Sequence, residues 1–346
     1  MRRYLLPEEG HLYKANLHTH STVSDGKLSP EEVKDMYKSM GYHIVAYSDH
    51  EMLVEHSDLD DESFIALTAV EYAVCEKKVY NKARTLEFNL FAKDRHNETH
   101  VCFSPNSVKP NQTWRLPDVK YVGETVKKEF SLEFIQRVID EANANGFLVS
   151  LNHPISSFLT TDIIKKLDGL FAMEIYNHDS ILCGVNERGI TMYDELLRYG
   201  KPWGCIAADD FHGTLKKEYP APGFVMIKAK ELKYEAIIDA LEKRNFYAST
   251  GPVIEELYID DGVAYIKCSP VKFIQMETSY RPRGGMRSAP DGEYLTEASF
   301  RVPEGVSYIR FDLQDEKGNW AHTRGYSPDS DEIPSKPFFE DDYCNI

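Results

Sequence analysis

No pair of cysteines in the 346-residue sequence has C-x-x-C spacing, and no run approaches the ~20 apolar residues that a membrane-spanning helix needs. The six cysteines, Cys75, Cys102, Cys183, Cys205, Cys268 and Cys344, are scattered, so a zinc ribbon, a redox motif and a disulfide framework all lack support. Positive charge is short as well: 40 Lys and Arg stand against 56 Asp and Glu, a formal net charge of −16. Such a field repels nucleic-acid backbone and anionic lipid, which argues against duplex nucleic acid and against a membrane as partner. The opening stretch has Arg2 and Arg3 but only Tyr4, Leu5 and Leu6 before Pro7, which is not a secretory pattern. Reduced thiols in a cytoplasmic protein are the expectation. With 42% hydrophobic residues the chain can bury a core of its own, so disorder is excluded as the default.

The length suits one large α/β domain with a smaller one attached. Through the first 250 residues or so, short β-like runs alternate with helical periods, which predicts a parallel sheet wrapped by helices. Strands are expected near 14–19, 44–48, 66–71, 86–91, 147–151, 171–176 and 203–208. The first helix has a legible start and stop: Ser29 as cap, Pro30 in the first turn, Glu32 closing a capping box, Val33, Met36, Tyr37 and Met40 on one face, then Gly41. Further helices are expected in SLEFIQRVIDEANANG, in VNERGITMYDELLRYG and over 233–245. Residues 93–130 show no sustained period and read as a long insertion on the ligand face. After Gly251-Pro252 short alternating runs are separated by Asp-Gly, Gly-Gly and Lys-Gly-Asn turns. The expected division is therefore 1–252 and a small antiparallel β domain at 253–346 with an acidic tail. Tyr308, Phe311 and Trp320 read as core of that second part.

Chemistry concentrates where those strands end. His18 and His20 close the first and, by strand alternation, point the same way, so two imidazoles can reach one ion. Asp25 follows on the loop, Asp49-His50 closes the second strand, Glu71 the third, Asn152-His153 the fifth and Asp209-Asp210-Phe211-His212 the seventh. Imidazole nitrogen with carboxylates that can bridge suits Zn, Mn or Fe. In parallel α/β barrels such sites form at the C-terminal ends of the strands.

In order along the chain, His18-Thr19-His20-Ser21 with Ser24-Asp25-Gly26, Ser48-Asp49-His50, Val70-Glu71-Tyr72, Asn152-His153-Pro154 and Asp209-Asp210-Phe211-His212 resemble the signature motifs of the PHP (polymerase and histidinol phosphatase) superfamily. The resemblance covers about residues 11–250 and looks nearest to a stand-alone branch with carbaryl-hydrolase-like members. It implies an α/β fold, a distorted barrel of seven βα units, here with a small C-terminal antiparallel β domain, and a site for two or three divalent ions. By the same resemblance His18, His20, Glu71 and Asp210 would hold the first ion, Glu71 and His153 the second, and Asp25, His50 and His212 the third. The family's fourth-strand histidine is missing. In Leu86-Glu87-Phe88-Asn89 either Glu87 or Asn89 takes its place, both facing one side of the strand.

Such ions imply a metal-dependent phosphoesterase acting on a small phosphorylated substrate: a nucleotide, an oligonucleotide end, or a sugar or amino-alcohol phosphate. A metal-bridging hydroxide would be the nucleophile, and Asp25, His50 or His212 would protonate the leaving group where the third position lacks metal. Hydrolysis of a carboxyl or carbamate ester or amide by the same site, and a non-catalytic metal-stabilised binding role, are the alternatives. Around the ligands, Asp49 and Asp209 are expected to hold ligand imidazoles by hydrogen bonds. Asn177 and His178 end the sixth strand as further candidates, and Arg188, with Lys93, Arg84, Arg95 and Arg115, could meet phosphate.

Overall fold

A computed structural model describes residues 2–76, 84–213, 222–279 and 284–333. The tail from 334 onward, including Cys344, lies outside the described residues. The chain order is β1 (Arg3–Tyr4), β2 (His11–Asn16), α1 (Pro30–Ser39), β3 (Ile44–Tyr47), β4 (Ile65–Cys75), β5 (Thr85–Ala92), α2 (Leu132–Ala144), β6 (Phe147–Leu151), α3 (Thr161–Ile164), β7 (Ala172–Asn177), α4 (His178–Leu182), α5 (Ile190–Arg198) and β8 (Gly204–Ala208). There follow β9 (Phe224–Ala229), α6 (Tyr234–Glu242), β10 (Phe246–Ser249), β11 (Ile254–Asp260), β12 (Val263–Val271), β13 (Phe273–Thr278), β14 (Gly285–Ser288), β15 (Leu295–Arg301), β16 (Ile309–Gln314) and β17 (Trp320–Thr323). Among the described residues no helix is long and apolar enough to cross a membrane.

Local chemistry sets the helices. Ser29 and Glu32 form the anticipated reciprocal capping box at α1, and Gly41 just beyond its end takes φ 77°, a conformation that glycine adopts without a Cβ clash. In α2, Ser131 caps the Phe134 amide and Ile135, Val138, Ile139 and Ala142 are buried, while Phe134 packs partly buried at their flank. The third expected helix begins only at Ile190, because 185–189 form an irregular link with Gly189 as the cap.

The sheet is mixed, which corrects the all-parallel expectation. Pairs β2·β3, β3·β4, β6·β7 and β7·β8 are parallel, whereas β5 runs against both β4 and β6. The link from β4 to β5 is too short for a parallel crossover, which needs a dozen residues or more, and Glu76 N donates to Arg84 O at 2.8 Å across its base. One consequence reaches the site. β2, β3, β4, β6, β7 and β8 all point one way, so the end of reversed β5 that meets their mouth is its start, where Glu87 sits.

A closed barrel is also corrected. Antiparallel β9 occupies the edge of β2, so no strand ladder among the described residues joins β8 back to β2. The two flanks share a core that includes Ala15, Leu17, Ala46, Leu148, Ile206 and Ala208, and their backbones are tied at the mouth through Asp210 N donating to His18 O at 3.0 Å, His20 N to Phe211 O at 2.9 Å and a Thr19–Phe211 bridge. On the far side β10 pairs with β17, and β16, β13 and β14 extend the same sheet, while β1, β11, β12 and β15 form a second, antiparallel one. All three of Tyr308, Phe311 and Trp320 are buried, but only Phe311 packs with later-strand residues such as Ile274, Met276 and Phe300; Tyr308 and Trp320 join the core of the first part, beside Tyr193 and Tyr176. Residues 93–130 are not featureless: they hold the 3-10 helices Pro105–Ser107 and Pro110–Asp118.

Candidate metal centre

The first expected strand ends three residues early, at Asn16, so His18 and His20 stand beyond the ladder rather than on it. They are held instead by Asn16, whose side-chain amide donates to His18 O at 3.0 Å and to Tyr37 Oη at 2.7 Å. Both imidazoles are fully buried with their Nε2 atoms 3.2 Å apart. Glu71, inside β4, lies among four rings. Its Oε1 is 3.2 Å from His18 Nε2 and 3.3 Å from His153 Nε2, and its Oε2 is 3.3 Å from His20 Nε2 and 3.1 Å from His50 Nδ1. Asp210 Oδ1 is 3.0 Å from His20 Nε2 and 3.2 Å from His18 Nε2, and Glu87 Oε2 is 3.7 Å from His153 Nε2.

A second group adjoins the first and is more open. Asp25 Oδ2 is 3.6 Å from His50 Nε2, and Asp25 Oδ1 is 3.6 Å from His212 Nε2 and 3.9 Å from His20 Nδ1. The structure thus brings together His18, His20, Asp25, His50, Glu71, Glu87, His153, Asp210 and His212, all from distant parts of the chain. Sets such as His18–Glu71–His153, His18–His20–Asp210 and His20–Asp25–His50–His212 each present converging ligand atoms.

Two observations say that these donors fit divalent ions. Asp210 Oδ1 is buried and has no well-formed hydrogen bond, although imidazole nitrogens surround it; a buried carboxylate oxygen left so is costly unless a cation completes it. Asp210 also holds φ 51° and His153 φ 20°, backbone states that L-residues rarely keep at about 1–3 kcal/mol unless something requires them. Charge points the same way. Burial alone would lower the imidazole pKa values, but Asp210 and Glu71 push His20 up to about 10, and Glu71, Glu87 and Asp210 push His153 up to about 10. Protons there stand where cations would bind. His50, more dominated by burial, falls to about 4, and burial beside Glu71 lifts Glu87 to about 7.

Surrounding residues hold the ligands in place, and here sequence reasoning missed the strongest one. Glu174 on β7 is buried, accepts from His18 Nδ1 at 2.7 Å and, through Oε2, from the His153 amide at 2.9 Å and Asn177 Nδ2 at 3.1 Å. A lone acid inside the apolar run Ala172–Asn177 was the available signal, because an unpaired buried carboxylate is rare. Asn177 Nδ2 also reaches Asp210 Oδ2 at 3.2 Å. By holding one tautomer and orientation of His18, Glu174 should matter for metal affinity. Glu174→Gln is expected to weaken binding of the first ion about 10–100-fold, as read by metal titration, with the fold unchanged by circular dichroism.

Other expected neighbours lie elsewhere. Asp49 does not touch an imidazole: it binds the Ser21 and Ser24 amides and both hydroxyls, bracing the loop that carries Asp25, because its side chain points away from the ring of His50. Asp209 faces Tyr37 Oη at 3.0 Å instead, on the opposite side of the backbone from Asp210, and burial raises it to about 8. Asn89 is absorbed by Asn152 and the Leu17 carbonyl, leaving Glu87 as the β5 residue in the cluster. His178 Nδ1 meets Tyr176 Oη at 2.9 Å and joins no metal-competent group among the described residues. Arg188 is exposed and lines a separate cavity of about 250 Å³ with Trp320 and His322. Lys93, Arg84 and Arg95 pair with Glu242, Glu76 and Asp60, and Arg115 stacks on Trp114.

No family model and no curated protein matches the chain. Similar solved structures include a two-domain protein containing a predicted PHP-like metal-dependent phosphoesterase from Bacteroides vulgatus, at 14% identity over 93% of this chain and 98% of that one, TM-score 0.44. A protein from Bifidobacterium adolescentis described as a metal-dependent phosphoesterase matches at 14% identity over 62% and 91%, TM-score 0.36. An amidohydrolase from Chromobacterium violaceum, with sulfate and no metal bound, matches at 17% over 60% and 92%, TM-score 0.37.

Proposed function

We propose that this chain is a metal-dependent hydrolase of a small phosphate ester, with nucleotides, oligonucleotide ends and sugar or amino-alcohol phosphates as the substrate classes. The observation that carries the reading is Glu71, buried among His18, His20, His50 and His153, next to the unpartnered Oδ1 of Asp210. His18, His20, Glu71 and Asp210 would hold one ion, and Glu71, Glu87 and His153 another, of Zn, Mn or Fe type. Divalent ions in such sites supply a nucleophilic water at neutral pH and offset phosphate charge. The protein does the rest. Glu174 fixes the first imidazole, and the cluster is most open toward Asp25 and His212, whose side chains are 38 and 24% exposed, with Glu87 and His50 at 17 and 15%. Substrate would enter on that open side, where His212 Nε2 can carry a proton to the departing oxygen; His50, held down to about 4 by burial, is unprotonated at neutral pH. We place the protein in the cytoplasm, in keeping with five free thiols among the described residues.

The deciding experiment is turnover of phosphomonoesters, phosphodiesters and carboxyl esters with Mn, Zn or Fe added and with chelator. Phosphate release that chelation abolishes is expected. Because His20 and His153 hold protons up to about 10 in the metal-free cluster, metal must displace those protons, so affinity should rise with pH and activity should fall on acidification. A rate that stays flat from neutral pH to about 4.5, well below the ordinary imidazole value of ~6.5, or turnover of carboxyl esters alone, would overturn the proposal.

A further inference from the structure

The insertion at 93–130 delivers a cation to the open side of the cluster. Lys109 Nζ lies 2.8 Å from Asp25 Oδ2, the oxygen that also faces His50 Nε2 at 3.6 Å. The lysine is not a passing surface charge, because the segment carrying it is pinned on both flanks of the site. Lys109 N donates to Gln112 Oε1 at 2.9 Å, and Gln112, only 1% exposed, donates through Nε2 to His50 O at 2.7 Å. Asn111 Nδ2 donates to the Ser24 carbonyl beside Asp25. Two anchors, from Asn111 and Gln112, thus hold the segment to both flanks of the site and its ammonium group against one carboxylate of the His20–Asp25–His50–His212 set. A divalent ion bound by Asp25 would sit within a few Å of that ammonium, and like charges so close repel, although water screens side chains that are 37 and 38% exposed.

We propose that Lys109 is a built-in cation at the Asp25 end of the cluster and takes the place of a further metal ion. On this reading the chain binds two divalent ions at saturation, on His18, His20, Glu71, Glu87, His153 and Asp210, and the Lys109 ammonium neutralises Asp25. The inference rests on the metal-centre reading above and specifies its stoichiometry.

Metal content tests it without reference to turnover. The full chain, Lys109→Met and the double variant Lys109→Met/Asp25→Asn are loaded with excess manganese, desalted and assayed by elemental analysis, with circular dichroism to verify folding. The expected result is two ions per chain for the parent, three for Lys109→Met and two again for the double variant. Three ions in the parent, or two in Lys109→Met, overturn the inference alone. Fewer than two in the folded parent would remove the metal-centre reading and this inference together.

Discussion

Asp210→Asn should bind metal poorly and lower kcat/KM for any substrate the protein turns over by about three orders of magnitude or more, with the fold intact. Asparagine is the informative replacement. It keeps the shape of the side chain and tolerates the left-handed backbone at φ 51°, so what it removes is charge. In the parent, Asp210 Oδ1 faces two imidazole nitrogens without a hydrogen bond, and the carboxylate is held well below its ordinary pKa: burial opposes this, but His18, His20 and His212 outweigh it. Losing that anion should also let His18 and His20 shed protons more easily, which separates an electrostatic effect from misfolding in an NMR titration of the imidazoles. His20→Ala, which deletes a ligand without touching the Asp210 backbone, should lose activity to the same degree. Activity within tenfold of the parent in both variants would refute the assigned cluster.

The second large effect concerns stability. Glu51, next to His50 and itself at φ 60°, is paired with Lys128 from the end of the insertion. Lys128 Nζ is 2.6 Å from both carboxylate oxygens, 2.8 Å from Ala73 O and 3.5 Å above the Tyr72 ring. Both side chains are nearly inaccessible to water. Removing one partner of such a pair costs about 3–5 kcal/mol, because the other is left charged and buried. Lys128→Met should therefore lower stability by about that amount in chemical denaturation, and Lys128→Met/Glu51→Gln should recover much of it. Burial already raises the Glu51 pKa against the pull of Lys128, and without Lys128 it would rise further. A carboxyl whose folded pKa lies above its unfolded value favours folding when protonated, so the deficit of Lys128→Met should grow as pH rises and shrink toward the ordinary glutamate range near ~4. A loss below about 1 kcal/mol at neutral pH would mean that Glu51 finds water or another partner.

What the sequence made legible was which His, Asp and Glu side chains converge and most of the strands that place them. β6 was expected with its observed bounds, and the expected β3, β5, β7 and β8 lie within a residue of the observed strands, because short apolar runs between helix caps and glycines mark them clearly. Strand direction was not legible. Periodicity reports which residues face inward and carries no sign for the direction of the chain, so the reversal of β5, and with it the choice of Glu87 over Asn89, emerged only from pairing. Glu174 offered a signal, one acid in a fully buried run, but no partner for it: its charge gains meaning only when His18 arrives from 156 residues away. Lys109 and Gln112 were not legible one by one: the lack of a period placed the insertion on the ligand face, where it lies, without telling which of its side chains reach the site.

The pairing of β17 with β10 has a practical outcome. A fragment that stops near residue 250 would keep every proposed ligand yet bare the outer rim of β10, from Phe246 to Ser249, whose amides and carbonyls would seek another chain to bind. Shortened versions made for crystallisation should thus be sticky and form polymers, whereas the intact polypeptide shields that rim with its own later strands.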